Sequence, residues 1–552
     1  MSNQLTYTVG NLLDDMARRY PDTEALVYHE RGLRLTYAQF NATCRQIAKG
    51  LLQLGIKKGD NIAIWAYNVP EWVLLQFASA KIGAILVTVN TSYKSAELEY
   101  ILEQSDSTSL FMVGSFKDTN YVETLTSVVP ELPTSEPGTL TTAKLPYLKN
   151  VIYIGADTPA GTINFDTIIT LGEQIPDACL DAIEATLDCH ETINMQYTSG
   201  TTGFPKGVML THYNIVNNGF NIGECMKLTD KDRLCIPVPF FHCFGCVLGV
   251  MACVTHATTM VPVEIFDPLK VLQTIEKEKC TGVHGVPTMF IAELEHPDFK
   301  NFDLTTLRTG IMAGSNCPIE VMKKVNSDMH ASEITIAYGQ TESSPVITQT
   351  RTDDALELRV ATVGRSLPDV ETKIVDIETN ETLPPGKQGE LCTRGYHVMK
   401  GYYKMPEETA RAIDTDGWLH TGDLAIMDEH GYCKITGRIK NMIIRGGENI
   451  YPREIEEFLY THPKISDIQV YGVPDKKYGE QVMAAIIMKK GQTMTEDDVR
   501  NFCRDKIANY KIPKYVTFVE SYPMTASGKI QKFKMREMAI KELQLEDVGA
   551  TA

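Results

Sequence analysis

Nothing in the sequence is long and apolar enough to cross a membrane. A span takes about 20 mostly apolar residues, and the most apolar stretch, 246–263, is interrupted by Thr255, His256, Thr258 and Thr259, so it reads as buried core. Met1 to Tyr7 carries neither a basic cluster nor an apolar segment, so no secretory leader is expected. A basic surplus is missing as well: 53 Lys and Arg stand against 70 Asp and Glu, a formal charge of −17. That field repels phosphate backbones and anionic lipid, so neither nucleic acid nor an integral membrane association is expected, although a local basic patch around a small anion stays open. Cysteine is thin and irregular. Thirteen residues, an odd number, lack the dense spacing of a disulfide scaffold, and a cytoplasmic, reducing setting is expected. Cys243 and Cys246 make a Cys-x-x-Cys, but no second pair or His pair completes a zinc site beside them, so neither redox nor metal duty is expected there. Internal repeats and heptad runs are absent too.

What is present is an ordinary globular composition, 43% hydrophobic and 22% charged. By length it divides into about three or four folding units. Thr36 and Gln39 form a capping-box pattern ahead of Phe40, Cys44, Ile47, Leu51 and Leu54, whose spacing gives one apolar helix face that Gly55 ends. Residues 61–66 read as a buried strand, Pro70–Ile82 as a helix turning Trp72, Leu75, Phe77 and Ala78 inward, and 84–89 as a second strand. Strand, helix and strand at this spacing predict a parallel α/β sheet.

Between 114 and 161 the chain is rich in Ser, Thr and Pro and reads as a surface excursion. Residues 213–225 and 268–279 carry helical patterns, 281–287 and 332–337 strand-like ones. From 363 to 437 recurring glycines separate short alternating segments, which predicts small sheets and hairpins. After Gly437 a helix from Pro452, strands at 468–473 and 481–488, a helix at 495–507 and a strand at 516–519 make a compact α+β module.

The stretch from Tyr197 to His212, Tyr-Thr-Ser-Gly-Thr-Thr-Gly-Phe-Pro-Lys-Gly-Val-Met-Leu-Thr-His, is composed to hold an anion. Ser199, Thr201 and Thr202 offer hydroxyl donors, Gly200, Gly203 and Gly207 let backbone amides approach closely, and Lys206 adds a point charge. A Walker loop needs Gly-Lys-[Ser/Thr] after four intervening residues, whereas Lys206 follows Pro205 and precedes Gly207, so a P-loop NTPase does not fit.

Residues 198–206, with the apolar Ile193 and Met195 before them, resemble the signature of the adenylate-forming superfamily, which includes acyl-CoA synthetases, luciferases and peptide-synthetase adenylation domains. Further motifs follow in the expected order, and the resemblance runs from about residue 35 to 532. It implies a large N-terminal domain of parallel α/β sheet subdomains plus a small β-rich subdomain (1–437), a hinge at 438–440, and a small mobile α+β C-terminal domain (441–552). Pro239-Phe240-Phe241-His242-Cys243-Phe244-Gly245 is similar to the segment walling the acid pocket. His242 would sit near the substrate carboxylate, with Phe240, Phe241 and Phe244 around it and Gly245 and Gly249 leaving room for a tail. Cys246, Val247, Leu248 and Val250 fit either an apolar tunnel or helix core.

Tyr338-Gly339-Gln340-Thr341-Glu342 resembles the next motif. By that likeness Tyr338 stacks on adenine beside Gly339 and Gln340, Thr341 touches the α-phosphate, and Glu342, with Thr198, holds Mg²⁺. Gly314 and Ser315 match the strip along the nucleotide. Asp423, in His420-Thr421-Gly422-Asp423, and Arg438 match the ribose contacts. Lys440 falls at the hinge, Gly446 and Gly447 along the path of coenzyme A, and Lys529, in Thr525-Ala-Ser-Gly-Lys-Ile530, at the carboxy-terminal catalytic lysine. Some relatives carry Lys in place of Ile444 or Arg in place of Asn449.

The implied chemistry is activation of a carboxylic acid with ATP to an acyl-adenylate and pyrophosphate, then transfer to CoA with release of AMP. Mg²⁺, the 198–206 loop and Lys529 supply the positive field. Residues 89–100 and 233–245 look most like those of medium- and long-chain fatty acyl-CoA synthetases, a resemblance that implies a medium- or long-chain fatty acid, with an aryl or cinnamate acid, or a carrier-protein acceptor, as alternatives. The sequence leaves oligomeric state open, a homodimer included.

Overall fold

The computed structural model describes residues 4–198, 205–315, 317–446, 448–504, 506–525 and 530–545. They form two compact units, residues 1–372 with 393–419 and residues 373–392 with 420–552.

The larger unit is built on two mixed sheets. One has eight strands in the spatial order Gly401–Tyr402, Lys206–Thr211, Thr192–Thr198, Ile85–Thr88, Asn61–Trp65, Ser109–Val113, Asn150–Ile154 and Ile163–Asn164. Its members from Thr192–Thr198 onward run parallel, while Lys206–Thr211 returns antiparallel as a hairpin. The α/β texture around residue 70 produces this arrangement. Helix Tyr37–Gln53 starts on the expected capping box: the Gln39 amide donates to Thr36 Oγ1 at 3.3 Å and the Thr36 amide to Gln39 Oε1 at 2.9 Å. Helix Pro70–Ile82 has the expected bounds, yet every residue except Glu71 is buried, not one face alone. Other helices and the sheet cover all its sides, and its own buried cation, Lys81, is neutralised by Asp14 at 2.8 Å and Glu184 at 3.1 Å.

The excursion expected between 114 and 161 is more than surface. It contributes helix Tyr121–Val128 and strand Asn150–Ile154, which pairs in parallel with Ser109–Val113. Pro- and Ser-rich flanks masked a five-residue strand too short for periodicity to show.

The second sheet has nine strands, Arg365–Ser366, Val346–Gln349, Glu333–Gly339, Thr309–Met312, Gly282–Gly285, Arg233–Ile236, Thr259–Pro262, Glu24–Tyr28 and Leu33–Thr36. Its centre is parallel and its outer strands are antiparallel. Val27, Cys235, Val261, Leu272, Phe290 and Ile334 are among the side chains that fill one of its cores.

In the smaller unit, strands Val370–Val375, Gln388–Gly395, Leu419–Met427 and Cys433–Arg438 form a four-stranded sheet, most of whose residues lie in this unit. This is the sheet-and-hairpin texture that the recurring glycines predict. A second sheet joins Glu448–Ile450, Ile443–Arg445, Gly479–Met488 and Ile465–Asp475, with Tyr515–Phe518 added in parallel. Helices Pro452–Tyr460 and Glu496–Cys503 pack on it through Ile455, Leu459 and Val499. The architecture is therefore α/β, with large mixed sheets in the N-terminal part and an α+β module at the C-terminus.

Candidate active site

Thr198 and Lys206 stand opposite each other in the register of the antiparallel strands Thr192–Thr198 and Lys206–Thr211. Just before Lys206, the Pro205 carbonyl accepts from the Tyr100 hydroxyl at 3.0 Å. The Lys206 ammonium pairs with the carboxylate of Glu408 and lies 4.9 Å from the centroid of the Tyr402 ring. It holds the Glu408 carboxyl below the usual carboxylate range.

Tyr402 joins this cation to the metal-site candidate. Its hydroxyl donates to Glu342 Oε1 at 2.8 Å, and burial together with the Glu342 charge pushes the phenol up. Backbone pairing fixes the ring: strand Gly401–Tyr402 aligns Tyr402 with Val208 and Gly401 with Met209. Glu342 sits in the single turn Thr341–Ser343, anchored from the other side by the Met399 amide, which donates to its carbonyl at 2.9 Å. The turn follows strand Glu333–Gly339, which leaves Tyr338 half-buried and Gly339 exposed at its end. A Cβ at Gly339 would lie 1.8 Å from the Pro345 carbonyl oxygen, so only glycine permits this return of the chain. Gly314 and Ser315 are exposed just past strand Thr309–Met312, Gly314 with φ +89.

His242 is half-buried at the start of an eight-residue π-helix, Phe244–Met251. Its Nδ1 accepts from the Phe244 amide at 3.1 Å, which fixes the ring against the helix start. Phe240, Phe241 and Phe244 are buried, Phe240 packing on Trp72 at 5.4 Å between centroids. Cys246, Val247, Leu248 and Val250 are buried as well. The space beside the two glycines is taken: a Cβ at Gly245 would fall 2.3 Å from the Pro239 carbonyl oxygen, and one at Gly249 2.9 Å from Ile236 Cγ2. The lack of a side chain at both positions permits this close packing of the segment.

The Cys-x-x-Cys of this segment is bridged by one amide. Gln196 Oε1 accepts from the Cys243 thiol at 2.9 Å, and its Nε2 donates to Cys246 Sγ at 3.0 Å. Burial pushes both thiols up, Cys246 to about 12, which disfavours the thiolate form. Buried His284 holds the helix from below: its Nδ1 accepts from the Ile311 amide at 3.2 Å, which leaves Nε2–H to donate to the Leu248 carbonyl at 3.0 Å. Burial lowers this imidazole to about 4.

In the smaller unit, Asp423 is buried and Arg438 Nε donates to its Oδ1 at 2.7 Å. The two face each other because strands Leu419–Met427 and Cys433–Arg438 pair there in antiparallel register. Two residues earlier, Thr421 Oγ1 donates to the Leu391 carbonyl at 2.6 Å. His420 Nδ1 meets Glu390 Oε2 at 2.9 Å and Cys392 Sγ at 3.4 Å, and these two neighbours raise the imidazole to about 10, Cys392 contributing most. Lys440 is exposed in the short turn Ile439–Asn441. Gly446 has φ +62, and its amide donates to the Tyr478 carbonyl at 2.8 Å.

Ser199, Gly200, Thr201, Thr202, Gly203, Gly447 and Lys529 lie outside the described residues. Among the rest, the structure links Lys206 with Glu342 and Asp423 with Arg438. It also supplies residues that sequence reasoning missed. Glu408 had a signal, since Pro406-Glu407-Glu408 reads as an acidic helix start. Tyr402 had none, because a lone tyrosine gains meaning only from the strand pairing that aims it.

Residues 13–403 match the family described as AMP-binding enzyme, and residues 454–529 match the AMP-binding enzyme C-terminal domain. YngI of Bacillus subtilis (strain 168), provisionally named an acyl-CoA synthetase, is 58% identical over 545 residues, 99% of either chain. The mitochondrial medium-chain acyl-CoA ligase ACSF2 of Bos taurus is 44% identical over 544 residues, 98% of this chain and 88% of that one. The crystal structure of the anthranilate CoA ligase AuaEII in complex with anthranoyl-AMP is similar with a TM-score of 0.84 and 26% identity, over 97% of this chain and 98% of that one.

Proposed function

The chain belongs to the AMP-binding enzyme family, and from that premise we propose that this acyl-CoA ligase works in two steps on a medium- or long-chain fatty acid. The acid oxygen attacks the α-phosphorus of ATP and pyrophosphate leaves. The thiol sulfur of CoA then attacks the acyl carbonyl, its proton passes to solvent or a nearby base, and AMP leaves. Adenylation is needed because a carboxylate has only oxide to expel, whereas AMP is a stable leaving group.

The observation that carries this reading is the chain of contacts from Lys206 through Tyr402 to Glu342 at the mouth of the 192–211 hairpin. It joins Lys206, the cation that follows the 199–204 segment in sequence, to the carboxylate of Glu342, and that segment would cradle the triphosphate. Thr198, Ser199, Gly200, Thr201, Thr202 and Gly203 form that cradle, and Lys206 exchanges Glu408 for phosphate oxygens when ATP enters. Tyr338, Gly339, Gln340, Gly314 and Ser315 border the adenine, Thr341 the α-phosphate, and Asp423 with Arg438 the ribose hydroxyls. A buried carboxylate is a strong acceptor for two such hydroxyl protons.

The donor set at Glu342 and Thr198, a carboxylate and a hydroxyl, consists of the hard oxygens that Mg²⁺ prefers, so the residues present fit that ion. When bound, Mg²⁺ would neutralise charge on the phosphate oxygens. Tyr402 holds the Glu342 carboxylate in one orientation. His242 and Lys529 complete the set, His242 beside the acid carboxylate and Lys529 at the charge developing on the α-phosphate. The segment Phe240, Phe241, Phe244, Gly245 and Gly249 walls the acyl pocket, the two glycines by letting it pack closely.

We keep 438–440 as the hinge, with Lys440 as pivot, and 437 as the functional boundary, because the two family matches fall on either side of it. Gly446 and Gly447 then lie on the CoA path. Among the described residues no helix is long and apolar enough to cross a membrane, which suits the cytoplasmic setting we propose.

Fatty acids of graded length, with benzoates and cinnamates beside them, test the reading when AMP and pyrophosphate are assayed with and without CoA. Highest kcat/KM on a medium or long saturated acid, with pyrophosphate released before CoA is added, is expected. Preference for an aromatic acid, which the similarity to an anthranilate CoA ligase would favour, or indifference to free CoA, overturns it.

A further inference from the structure

The four-stranded sheet of the smaller unit carries a cluster that the ligase chemistry does not use. Glu390 and Cys392 are two apart on strand Gln388–Gly395, so their side chains share a face. His420 comes from the neighbouring strand Leu419–Met427, held in place by the Thr421 hydroxyl bond to the Leu391 carbonyl. Cys392 Sγ and Glu390 Oε2 both approach the same ring nitrogen of His420, at 3.4 and 2.9 Å. A catalytic relay places its acid and its nucleophile on opposite nitrogens of the imidazole. Here both crowd onto Nδ1, so the three atoms converge on a single point, all within 4.8 Å of one another.

We propose that Glu390, Cys392 and His420 form a binding site for a borderline-soft divalent cation, Zn²⁺ in preference to Mg²⁺. Sulfur, imidazole nitrogen and carboxylate oxygen are the zinc donor set, and a thiolate disfavours a hard ion. Around tetrahedral Zn²⁺ the S···N and N···O edges measure about 3.6 and 3.3 Å, so these two edges open by only a few tenths of an ångström, and the third, Sγ···O, lies within 4.8 Å and closes toward about 3.6 Å. Thiolate and carboxylate together cancel the charge of the dication, and the thiol and Nδ1 protons leave to solvent as it binds. Cys392 is buried while His420 and Glu390 are half-buried, which gives the ion a way in and leaves a fourth position for water. The donors stand on paired strands, so the site is largely preformed. Glu390 Oε1 also accepts from the Gly422 amide at 2.8 Å, so a bound cation would stiffen the turn leading to Asp423.

Asp188, Cys189 and His190 form a second cluster, but these are consecutive residues of one turn, Asp188 and His190 exposed, and they serve as the control. The test titrates the full chain, freed of metal with a chelator, first with Co²⁺ and then with Zn²⁺. One equivalent of Co²⁺ should bind with a thiolate-to-cobalt charge-transfer band, and Zn²⁺ should bleach the band and raise Tm. Cys392→Ser should abolish the band, and His420→Asn should weaken Co²⁺ binding by ~10-fold or more, given what loss of groups around a metal costs. Cys189→Ser should change neither. Absence of the band in the wild-type chain, its persistence in Cys392→Ser, or its loss in Cys189→Ser overturns the proposal. Should Cys392→Ser fail to fold, the half-exposed His420→Asn decides, and wild-type affinity for Co²⁺ in that variant refutes the site.

Discussion

Replacing Tyr402 with phenylalanine removes one oxygen and leaves the ring. The lost contact is the hydroxyl donated to Glu342 Oε1 at 2.8 Å, while the ring face that Lys206 approaches at 4.9 Å stays in place. A hydrogen bond to a charged acceptor contributes about 1.5–3 kcal/mol. If Glu342 is the Mg²⁺ ligand, most of that loss appears as weaker metal binding, about 10–100-fold, the range seen when a group orienting a metal ligand is removed. The assay is pyrophosphate release at saturating acid, with Mg²⁺ varied at fixed ATP. Tyr402→Phe should raise the half-saturating Mg²⁺ by that factor with little change in KM for the acid. Tyr402→Leu should add a loss in ATP affinity of about 0.5–1 kcal/mol, since it also removes the ring beneath Lys206. An unchanged Mg²⁺ dependence in Tyr402→Phe, with the fold intact by circular dichroism, would refute the role given to Glu342.

Lys529→Ala should slow single-turnover pyrophosphate release by ~10²–10³-fold, the cost of one donor to a charge that develops in the transition state. Lys440→Pro should slow thioester formation more than adenylate formation; equal losses, with each half reaction timed separately, would sink the hinge assignment. Gly245→Ala places a methyl group 2.3 Å from the Pro239 carbonyl oxygen, and overpacking of this kind costs about 1–3 kcal/mol, readable as a lower Tm. Burial holds His212 and His397 at about 3 and His284 at about 4. In the unfolded chain such rings titrate near 6.5, so the stability they carry is whole above that pH and falls as the pH drops toward the depressed values. At pH 5 each should cost about 2 kcal/mol, and a Tm that does not fall between pH 7 and 5 would show that these rings are not buried neutral.

Legibility differed by element. Helix Pro70–Ile82 was read to the residue because Pro at its first position and Gly83 after it mark both ends, yet its burial on all sides escaped a periodicity argument. Periodicity reports one neighbour, whereas this helix has several. Strand Asn150–Ile154 was missed for a related reason: five residues among prolines and serines carry too little pattern, and its place was set by the adjoining strand Ser109–Val113. The candidate site divides in the same way. Thr198, Lys206, Glu342, Asp423 and Arg438 stand in recognisable motifs, whereas Tyr402, Glu408 and Gln196 matter only through the partners that folding gives them.

The order of its motifs was enough to assign the chain to a family and a class of reaction, because each motif is a set of residue types at a fixed local spacing. Tertiary structure alone decided which groups orient those residues. The Lys206–Glu408 pair is 202 positions apart and the Tyr402–Glu342 bond 60, and contacts at such separations come from sheet register, which no local pattern encodes.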